Sequence, residues 1–408
     1  MSKTIKIEPN LQFVKELQEV GGADLKKCYQ CATCSVACPM SPADNPYPRK
    51  EMVWAQWGLK DKLVNDIDIW LCHNCGTCSD LCPRGAKPGD LLAALRNMTY
   101  RKLVPPAIIG EWMSSPKHLP ILAGIPAGIF AIIWMIRAAL VGSFFPLTED
   151  GKIVYGNLFP GDFTIDPLFG LVAIFVAICF GLGIKNMIDG FKSTVSETFV
   201  LGYKKPTLKD AIIATIKYDV LQHSRFKNCV DSPADEERVK GHQILFYGFV
   251  ACAIVTSVVA VAHWGGKVVP LLAPVGHTPM PLWHPVKILA NVGAVLLVTG
   301  LTLLTRRRLN ADTKKSVSNY YDWYLLGVIW VVTLTGIGAQ VFRLAGVAPL
   351  AFFTYYVHLV SIFMLIAYLP WSKLGHLVYR TTALIYARYV GRLPIGEKLI
   401  EDDKIFVI

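Results

Sequence analysis

The sequence has few charged residues for its length. Asp, Glu, Lys and Arg make up 17% of its 408 residues, whereas hydrophobic residues make up 53%. Soluble domains carry about 25% charged residues, so this balance excludes an ordinary soluble protein and indicates a membrane protein. The net charge of +11 is concentrated between apolar segments, as membrane topology requires, and we expect no nucleic-acid partner.

Two other features are absent. Residues Met1 to Gly22 alternate charged and apolar side chains and lack the apolar core of a secretory signal, so we expect the N-terminus to stay in the cytoplasm. The motif Cys-x-x-Cys-His, typical of haem c attachment, does not occur. Its absence excludes that cofactor class.

Six apolar segments are each long enough to cross about 30 Å of hydrocarbon, which takes about 20 helical residues. They lack the period-2 alternation of strands, and only helices or closed barrels satisfy the backbone within lipid. We therefore predict an all-α protein whose membrane domain covers residues 119–382. The predicted spans are 119–142, 167–190, 243–264, 284–304, 322–345 and 350–370.

Lys and Arg are concentrated in every second connection. The connection 191–242 is strongly basic, whereas 143–166 carries only Lys152. The positive-inside rule then predicts a multi-pass protein of the cytoplasmic membrane, with both termini, including the tail 383–408, in the cytoplasm. Within the basic connection, we predict an amphipathic segment over 205–230 that either lies on the membrane surface or packs on the bundle.

Eight of the eleven cysteines form two copies of one motif, Cys-x2-Cys-x2-Cys-x3-Cys-Pro. Such a run binds a [4Fe–4S] cluster through its first three cysteines, and in two-cluster ferredoxins its fourth cysteine binds the other cluster. The predicted ligands are Cys28, Cys31, Cys34 and Cys82 for the first cluster, and Cys72, Cys75, Cys78 and Cys38 for the second.

Zinc and disulfides are the alternatives for these cysteines. Zinc sites more often use two Cys pairs, and disulfides are rare in the cytoplasm. Helical patterns over 49–64 and 91–103 predict that residues 1–104 form an α-helical ferredoxin domain, followed by a linker, 105–118. The three scattered cysteines are predicted to have no cofactor role; they are Cys179, Cys229 and Cys252.

Four histidines have positions suited to haem b. His358 and His376 are eighteen residues apart, so on one helix they share a face about 27 Å apart. His242 and His263 bracket the third span, which runs opposite to the sixth. We therefore predict one haem b between His242 and His376 on the cytoplasmic side, and a second between His263 and His358 on the outer side. His284, at the start of the fourth span, is the alternative to His263.

These motifs resemble known families. The first hundred residues, with Trp70-Leu-Cys-His-Asn-Cys-Gly-Thr-Cys-Ser-Asp-Leu-Cys82, resemble the C subunit of heterodisulfide reductase. The sixth span, with His358-Leu-Val and Leu-Pro-Trp-Ser-Lys-Leu-Gly-His376, resembles the cytochrome b of the nitrate reductase gamma subunit or of the E subunit of heterodisulfide reductase. In the nitrate reductase family the two matching histidines bind different b haems. Their partner histidines are closer together there than His242 and His263 are here.

The fusion of these two modules resembles the C subunits of the quinone-interacting membrane-bound oxidoreductase of sulfate reducers. The resemblance implies that menaquinol is oxidised in the membrane and that flavin- and iron–sulfur-bearing cytoplasmic subunits of the same complex receive the electrons. It also implies adenylylsulfate reductase as the final acceptor in sulfate respiration.

The quinone site is not set by any motif. Ionisable residues within spans are functional candidates by default, and Arg137, Lys185 and Asp189 qualify unless they extend to the interface. His118, His223 and His277 are predicted to be surface or quinone-site residues. Two rival functions stay open: a terminal disulfide-reducing enzyme, which needs an open iron site or an additional thiol, and a non-catalytic anchor, which needs no facing histidines.

Overall fold

A computed structural model describes residues 8–42, 45–195, 206–230, 232–276, 278–310, 312–313 and 315–395. Within these residues the protein is all-α, as predicted, and has no β-strand beyond one isolated bridge between Leu147 and Ile153. The predictions for residue 205, for His277 and for the tail beyond residue 395 lie outside the described residues.

Among the described residues, seven α-helices form the N-terminal domain. They are α1 (Leu11–Leu17), α2 (Thr33–Ala37), α3 (Arg49–Gln56), α4 (Lys60–Val64), α5 (Asp68–Leu71), α6 (Thr77–Asp80) and α7 (Pro88–Leu103). The helix predicted over 49–64 is therefore two helices. They separate at Gly58, whose φ of +65° is a left-handed conformation that glycine adopts at low cost. Helix α7 is buried along most of its length and forms the centre of the domain.

The remaining helices include six that are long and apolar enough to cross a membrane. In order they are α8 (Ala107–Trp112), α9 (Leu119–Val141), α10 (Asp166–Thr194), α11 (Leu208–Ala214), α12 (Ser224–Lys227), α13 (Pro233–Gly266), α14 (Ala273–Gly276), α15 (Pro285–Leu309), α16 (Tyr320–Leu344), α17 (Ala348–Ala367) and α18 (His376–Tyr389). The six long helices are α9, α10, α13, α15, α16 and α17, and each carries one predicted span. Helix α13 starts ten residues before its predicted span, where Ser232 caps it by accepting a hydrogen bond from the Asp235 amide.

The membrane helices pack mainly in two pairs, α13 with α15 and α16 with α17. Small residues allow the first pair to approach closely: a Cβ on Gly300 would lie 2.7 Å from the backbone nitrogen of Leu245. Such small-residue contacts are how helices associate in lipid. Helices α9 and α10 pack on α17.

Helix α18 joins the membrane helices to the N-terminal domain. It packs on α5, and the Arg380 guanidinium donates a hydrogen bond to the carbonyl of Leu71 at 3.1 Å. Just beyond α18, Arg392 forms a buried ion pair with Asp68 at 2.6 Å. The cysteine motifs are therefore held against the same end of the bundle that carries His376.

Candidate cofactor sites

The two cysteine motifs have the same local backbone. In each, the residues on both sides of the second cysteine have positive φ: 68° and 69° at Gln30 and Ala32, and 50° and 92° at Asn74 and Gly76. Left-handed residues next to ordinary ones turn successive N–H groups toward one concave side, which suits an anionic group. A threonine hydroxyl two residues after each second cysteine also contacts its sulfur, at 3.3 Å and 3.4 Å.

The eight cysteines surround two cavities. The first cavity is lined by Cys28, Cys31, Cys34 and Cys82, and the second by Cys38, Cys72, Cys75 and Cys78. Helix α2 packs on α6, and this contact carries the fourth cysteine of each motif to the cavity of the other. The structure thus brings together the same two sets of four that the spacing predicts.

The arrangement of the sulfurs suits a multi-iron group better than a single metal ion. A zinc ion bound by four cysteines holds their sulfurs about 3.8 Å apart. Among the residues that the structure describes, no three cysteine sulfurs lie mutually within 4.8 Å, and all the cysteines are free. This geometry therefore does not match a single zinc ion held by four cysteines, and none of the cysteines is in a disulfide.

Burial makes bare thiolates costly in both cavities. Burial, followed by the neighbouring Cys28 thiol, raises the pKa of Cys34 to about 11. Burial and then Cys72 raise the pKa of Cys38 to about 12. Because iron–sulfur ligands must be thiolates, these positions need a positive partner at the sulfurs. Cluster iron would supply that charge.

The second cavity has further residues that sequence reasoning missed. Cys229, predicted to have no role, is 1% exposed and lines this cavity. Its interaction with Cys75, more than any other, lowers the pKa of Cys75 to about 6, whereas the pKa of Cys229 is raised. No motif spacing could have indicated Cys229, because it comes from the connection before α13.

His242 and His376 meet at the end of the bundle nearest the second cavity. Their ring centres are 6.2 Å apart, and two imidazoles that share one metal ion, each about 2 Å from it, have centres about 6 Å apart. Nδ1 of His376 lies 2.7 Å from the carbonyl of Lys373. That bond fixes the ring and directs Nε2 away from the backbone, as is usual for a metal-bound histidine. This pair suits a b-type haem iron.

The segment 222–230 lies between this histidine pair and the second cavity. Phe226 stacks on His73 at 5.3 Å between ring centres and lies 5.5 Å from His242. His223 lies 5.1 Å from His242 and is 6% exposed, so it is not a surface residue. Since His73 lines the second cavity, a continuous series of rings connects the two sites.

The structure does not bring His263 to His358. Nε2 of His263 lies 2.5 Å from a carboxylate oxygen of Asp162, which Lys267 also binds at 2.8 Å. His263 is three residues from the end of α13, whereas His358 is ten residues into α17, so they lie about 5 Å and about 15 Å below their helix ends. Nδ1 of His358 instead lies 3.0 Å from the carbonyl of Val332. His284 immediately precedes α15, and its buried Nδ1 has no partner among the described residues.

The quinone-site candidates are separate. Arg137 lies near the end of α9 and donates a hydrogen bond to the carbonyl of Asn157 at 3.2 Å. Lys185 and Asp189 lie near the opposite end of the bundle and are exposed, and Asp189 pairs with Lys192 at 3.6 Å. The structure does not gather these residues into one site.

Two families match different parts of the chain. Residues 24–86 match the 4Fe-4S dicluster domain, which contains all eight motif cysteines. Residues 179–394, slightly more than half of the chain, match the family described as Citrate utilization protein B. That match covers four of the six long helices, the segment 222–230 and part of α10.

The similar proteins of known function are subunits of heterodisulfide reductases. The C subunit of H(2):CoB-CoM heterodisulfide,ferredoxin reductase from Methanothermobacter marburgensis is 36% identical over 87 residues, 21% of this chain and 46% of that protein. An iron–sulfur C subunit of CoB--CoM heterodisulfide reductase from Methanocaldococcus jannaschii is 39% identical over 103 residues, 23% of this chain and 55% of that protein.

A relative from a further reductase complex is similar too. The E subunit of dihydromethanophenazine:CoB--CoM heterodisulfide reductase from Methanosarcina acetivorans is 32% identical over 102 residues, 23% of this chain and 38% of that protein. The chain thus spans about half the length, or less, of these relatives. No solved structure shows significant similarity to it.

Proposed function

Because the chain belongs to the Citrate utilization protein B family and carries a 4Fe-4S dicluster domain ahead of it, we propose that it is the membrane electron-transfer subunit of a quinone-interacting oxidoreductase. Its relatives are subunits of oxidoreductase complexes, so the coarser role as an oxidoreductase subunit stands on similarity alone. The quinone, the haem and the identity of the partners are the parts that we add.

The N-terminal domain would hold two [4Fe–4S] clusters. In this proposal Cys28, Cys31, Cys34 and Cys82 bind the first, and Cys72, Cys75, Cys78 and Cys38 bind the second. Support comes from the two cavities, each lined by one of these sets. When bound, the clusters and the haem take up and release single electrons; the protein positions them, excludes water and sets their surroundings.

A b-type haem would lie between His242 and His376. The separation of their rings and the Lys373 carbonyl that orients His376 support this pair. The outer haem stays a prediction: His358 is oriented by a backbone carbonyl in the same way, but His263 is bound to Asp162. We therefore propose His358 as an outer ligand without assigning its partner.

The partners would be flavin- and iron–sulfur-bearing subunits on the cytoplasmic side, with menaquinol as the donor and adenylylsulfate reductase as the acceptor. The basic connections support this orientation, because Arg306, Arg307 and Arg308 end α15 at the side of the cysteine motifs. Electrons would pass to these partners from the first cluster, because Cys31 is exposed at the first cavity. The link to sulfate respiration rests on the resemblance of the sequence.

One observation carries the proposal. A single chain has two four-cysteine cavities, and its segment 222–230 lies between the second of them and a facing histidine pair. A non-catalytic anchor would have no need of facing histidines. A disulfide-reducing enzyme would need an open iron site or an additional thiol that a substrate can reach. Each cavity has four motif cysteines for its cluster, and Cys229, the one additional thiol at a cavity within the described residues, is 1% exposed.

The test is cofactor analysis of the full chain purified in detergent. We expect eight cluster irons per chain, b-type absorbance, and reduction of that absorbance by a menaquinol analogue. Cys78→Ala should lower the cluster iron and keep the b-type absorbance. His376→Ala should lower the b-type absorbance and keep the cluster iron. A wild-type protein that contains iron–sulfur clusters but shows no b-type absorbance would contradict the proposed quinol oxidation.

A further inference from the structure

The second cavity contains a fifth cysteine that the cluster ligands do not account for. Cys229 reaches it from the segment between α12 and α13, whereas the other four come from the N-terminal domain. It is 1% exposed, so neither solvent nor a substrate explains its position. A [4Fe–4S] cluster needs four thiolates, which leaves Cys229 as a thiol that keeps its proton.

The position of Cys229 indicates which of the four ligand sulfurs it contacts. Cys75, the second cysteine of its motif, lines the same cavity and is the residue that interacts most strongly with its thiol. The equivalent cysteine of the first cavity, Cys31, contacts the hydroxyl of Thr33, just as Cys75 contacts that of Thr77. The residues lining the first cavity include no additional cysteine among those described. The second cavity therefore has a thiol for which the first cavity has no counterpart.

Tyr47 gives an independent indication that the second cavity is built for a sulfur-rich anion. Its side chain is 0% exposed, it lines the same cavity, and its hydroxyl has no hydrogen-bond partner among the described residues. A buried hydroxyl without a partner destabilises the fold. The nearby sulfurs of Cys38 and Cys72, once they carry charge, provide an acceptor for it.

Donors at cluster sulfurs change the redox potential. Reduction adds one negative charge to a cluster, and a hydrogen bond to its sulfurs stabilises the more negative state. We propose that Cys229 donates a hydrogen bond from its S–H to the cluster-bound sulfur of Cys75, and that Cys229 and Tyr47 together raise the potential of the second cluster. This inference rests on the proposed function, because it needs a cluster in the second cavity.

The experiment compares variants of the full chain in detergent by redox titration of the cluster signals in electron paramagnetic resonance. We expect Cys229→Ala to shift the midpoint potential of the second cluster to a more negative value and to keep all eight cluster irons. Cys229→Ser keeps a donor and should stay closer to wild type. Tyr47→Phe should shift the second cluster in the same direction as Cys229→Ala.

Two controls belong to this design. The first cluster is the internal control, and its midpoint should not move in any variant. Cys252→Ala is the matched control, because Cys252 is a half-buried cysteine of α13 that packs against Gly293 of α15 and lines neither cavity. It should leave both midpoints unchanged.

Three results would overturn the inference. A Cys229→Ala protein that loses cluster iron would make Cys229 a ligand. Unchanged midpoints in both Cys229→Ala and Tyr47→Phe would show that neither residue tunes the cluster. Equal shifts in Cys229→Ala and Cys229→Ser would point to packing rather than to the donor. A wild-type chain without cluster iron would instead contradict the proposed function itself, and iron analysis separates that result from the other three.

Discussion

Three buried carboxylates, Glu51, Asp66 and Asp68, lie close together in the N-terminal domain. Burial, then the charge of Asp66, raises the pKa of Glu51 well above its usual value and that of Asp68 to about 6. Groups with a raised folded pKa favour the folded state at low pH. Their contribution is lost as the pH rises above about 4 and through the folded pKa values.

Replacing Glu51 tests the direction of this pH dependence of stability. Glu51→Gln removes one of the carboxyls that resist ionisation, so we expect it to stabilise the protein by on the order of 1 kcal/mol at pH 8 and by less at pH 5.5. Thermal unfolding in detergent at both pH values measures the difference. Glu16→Gln, a change at a partly exposed position of α1, is the control. A larger gain at pH 5.5 than at pH 8 would contradict the assignment.

The histidines allow a second test at the scale of single residues. We expect His376→Ala to lower the bound haem by one per chain, because it removes one side of the pair with His242. His263→Ala should leave the haem content unchanged, because its Nε2 is already bound to Asp162. Haem extraction and absorbance measure both variants. A loss of haem in the His263→Ala variant would show that His263 is a haem ligand.

The sequence predicts the cysteine sets well because motif spacing is local and fixes which sulfurs can reach one cluster. It does not predict the depth of His263 and His358, since depth depends on where each helix ends in the bilayer. It also gives no sign of Cys229 or Phe226, which reach their positions only when the connection before α13 folds back over the N-terminal domain.

At the scale of elements, α18 is the helix that joins the membrane helices to the N-terminal domain. Arg388 is 0% exposed and pairs with Asp219 at 2.5 Å, and it also donates a hydrogen bond to Thr215. These contacts hold the π-helical segment Thr215–Leu221, which follows α11, against α18. Apolar length predicted all six spans, but the sequence does not show this anchoring role, because the paired residues are far apart in the chain.

Breaking this pair should be costly. We expect Arg388→Met to destabilise the protein by up to about 3–5 kcal/mol, because it removes the nearest partner of the buried Asp219 carboxylate and leaves only Arg225, at 4.0 Å. Lys240→Met, which breaks the exposed pair with Glu236, should cost at most about 1 kcal/mol. Chemical denaturation in detergent compares the two. Equal losses of stability in the two variants would show that burial does not make the Arg388–Asp219 pair more important than the exposed pair.

At the scale of the whole molecule, apolar side chains are exposed around the first cavity. Val36 is 88% exposed, Tyr29 is 59% exposed and Leu81 is 54% exposed, and each lies within two residues of a cysteine of that cavity. Exposed apolar groups that cluster at one place mark interaction surfaces. This surface lies outside the membrane spans, so the proposed cytoplasmic partner is the group that would cover it.

A charge at this surface should weaken the complex. We expect Val36→Asp to reduce the affinity for the flavin-bearing subunits about tenfold and to leave the cluster iron unchanged. Val268→Asp is the matched control, because Val268 is 82% exposed and follows α13 at the other end of the bundle. Co-purification of tagged wild-type and variant chains measures the difference. Equal recovery of partners would place their docking surface elsewhere.

The closing of the second cavity by Cys229 has a consequence for biogenesis. Its walls come from two regions of the chain, and the later one emerges from the ribosome only after two spans have been synthesised. The scaffold proteins that deliver iron and sulfide can reach this pocket freely only before the segment 222–230 folds over it. The proposed second cluster would therefore enter its cavity early, before the segment 222–230 closes it.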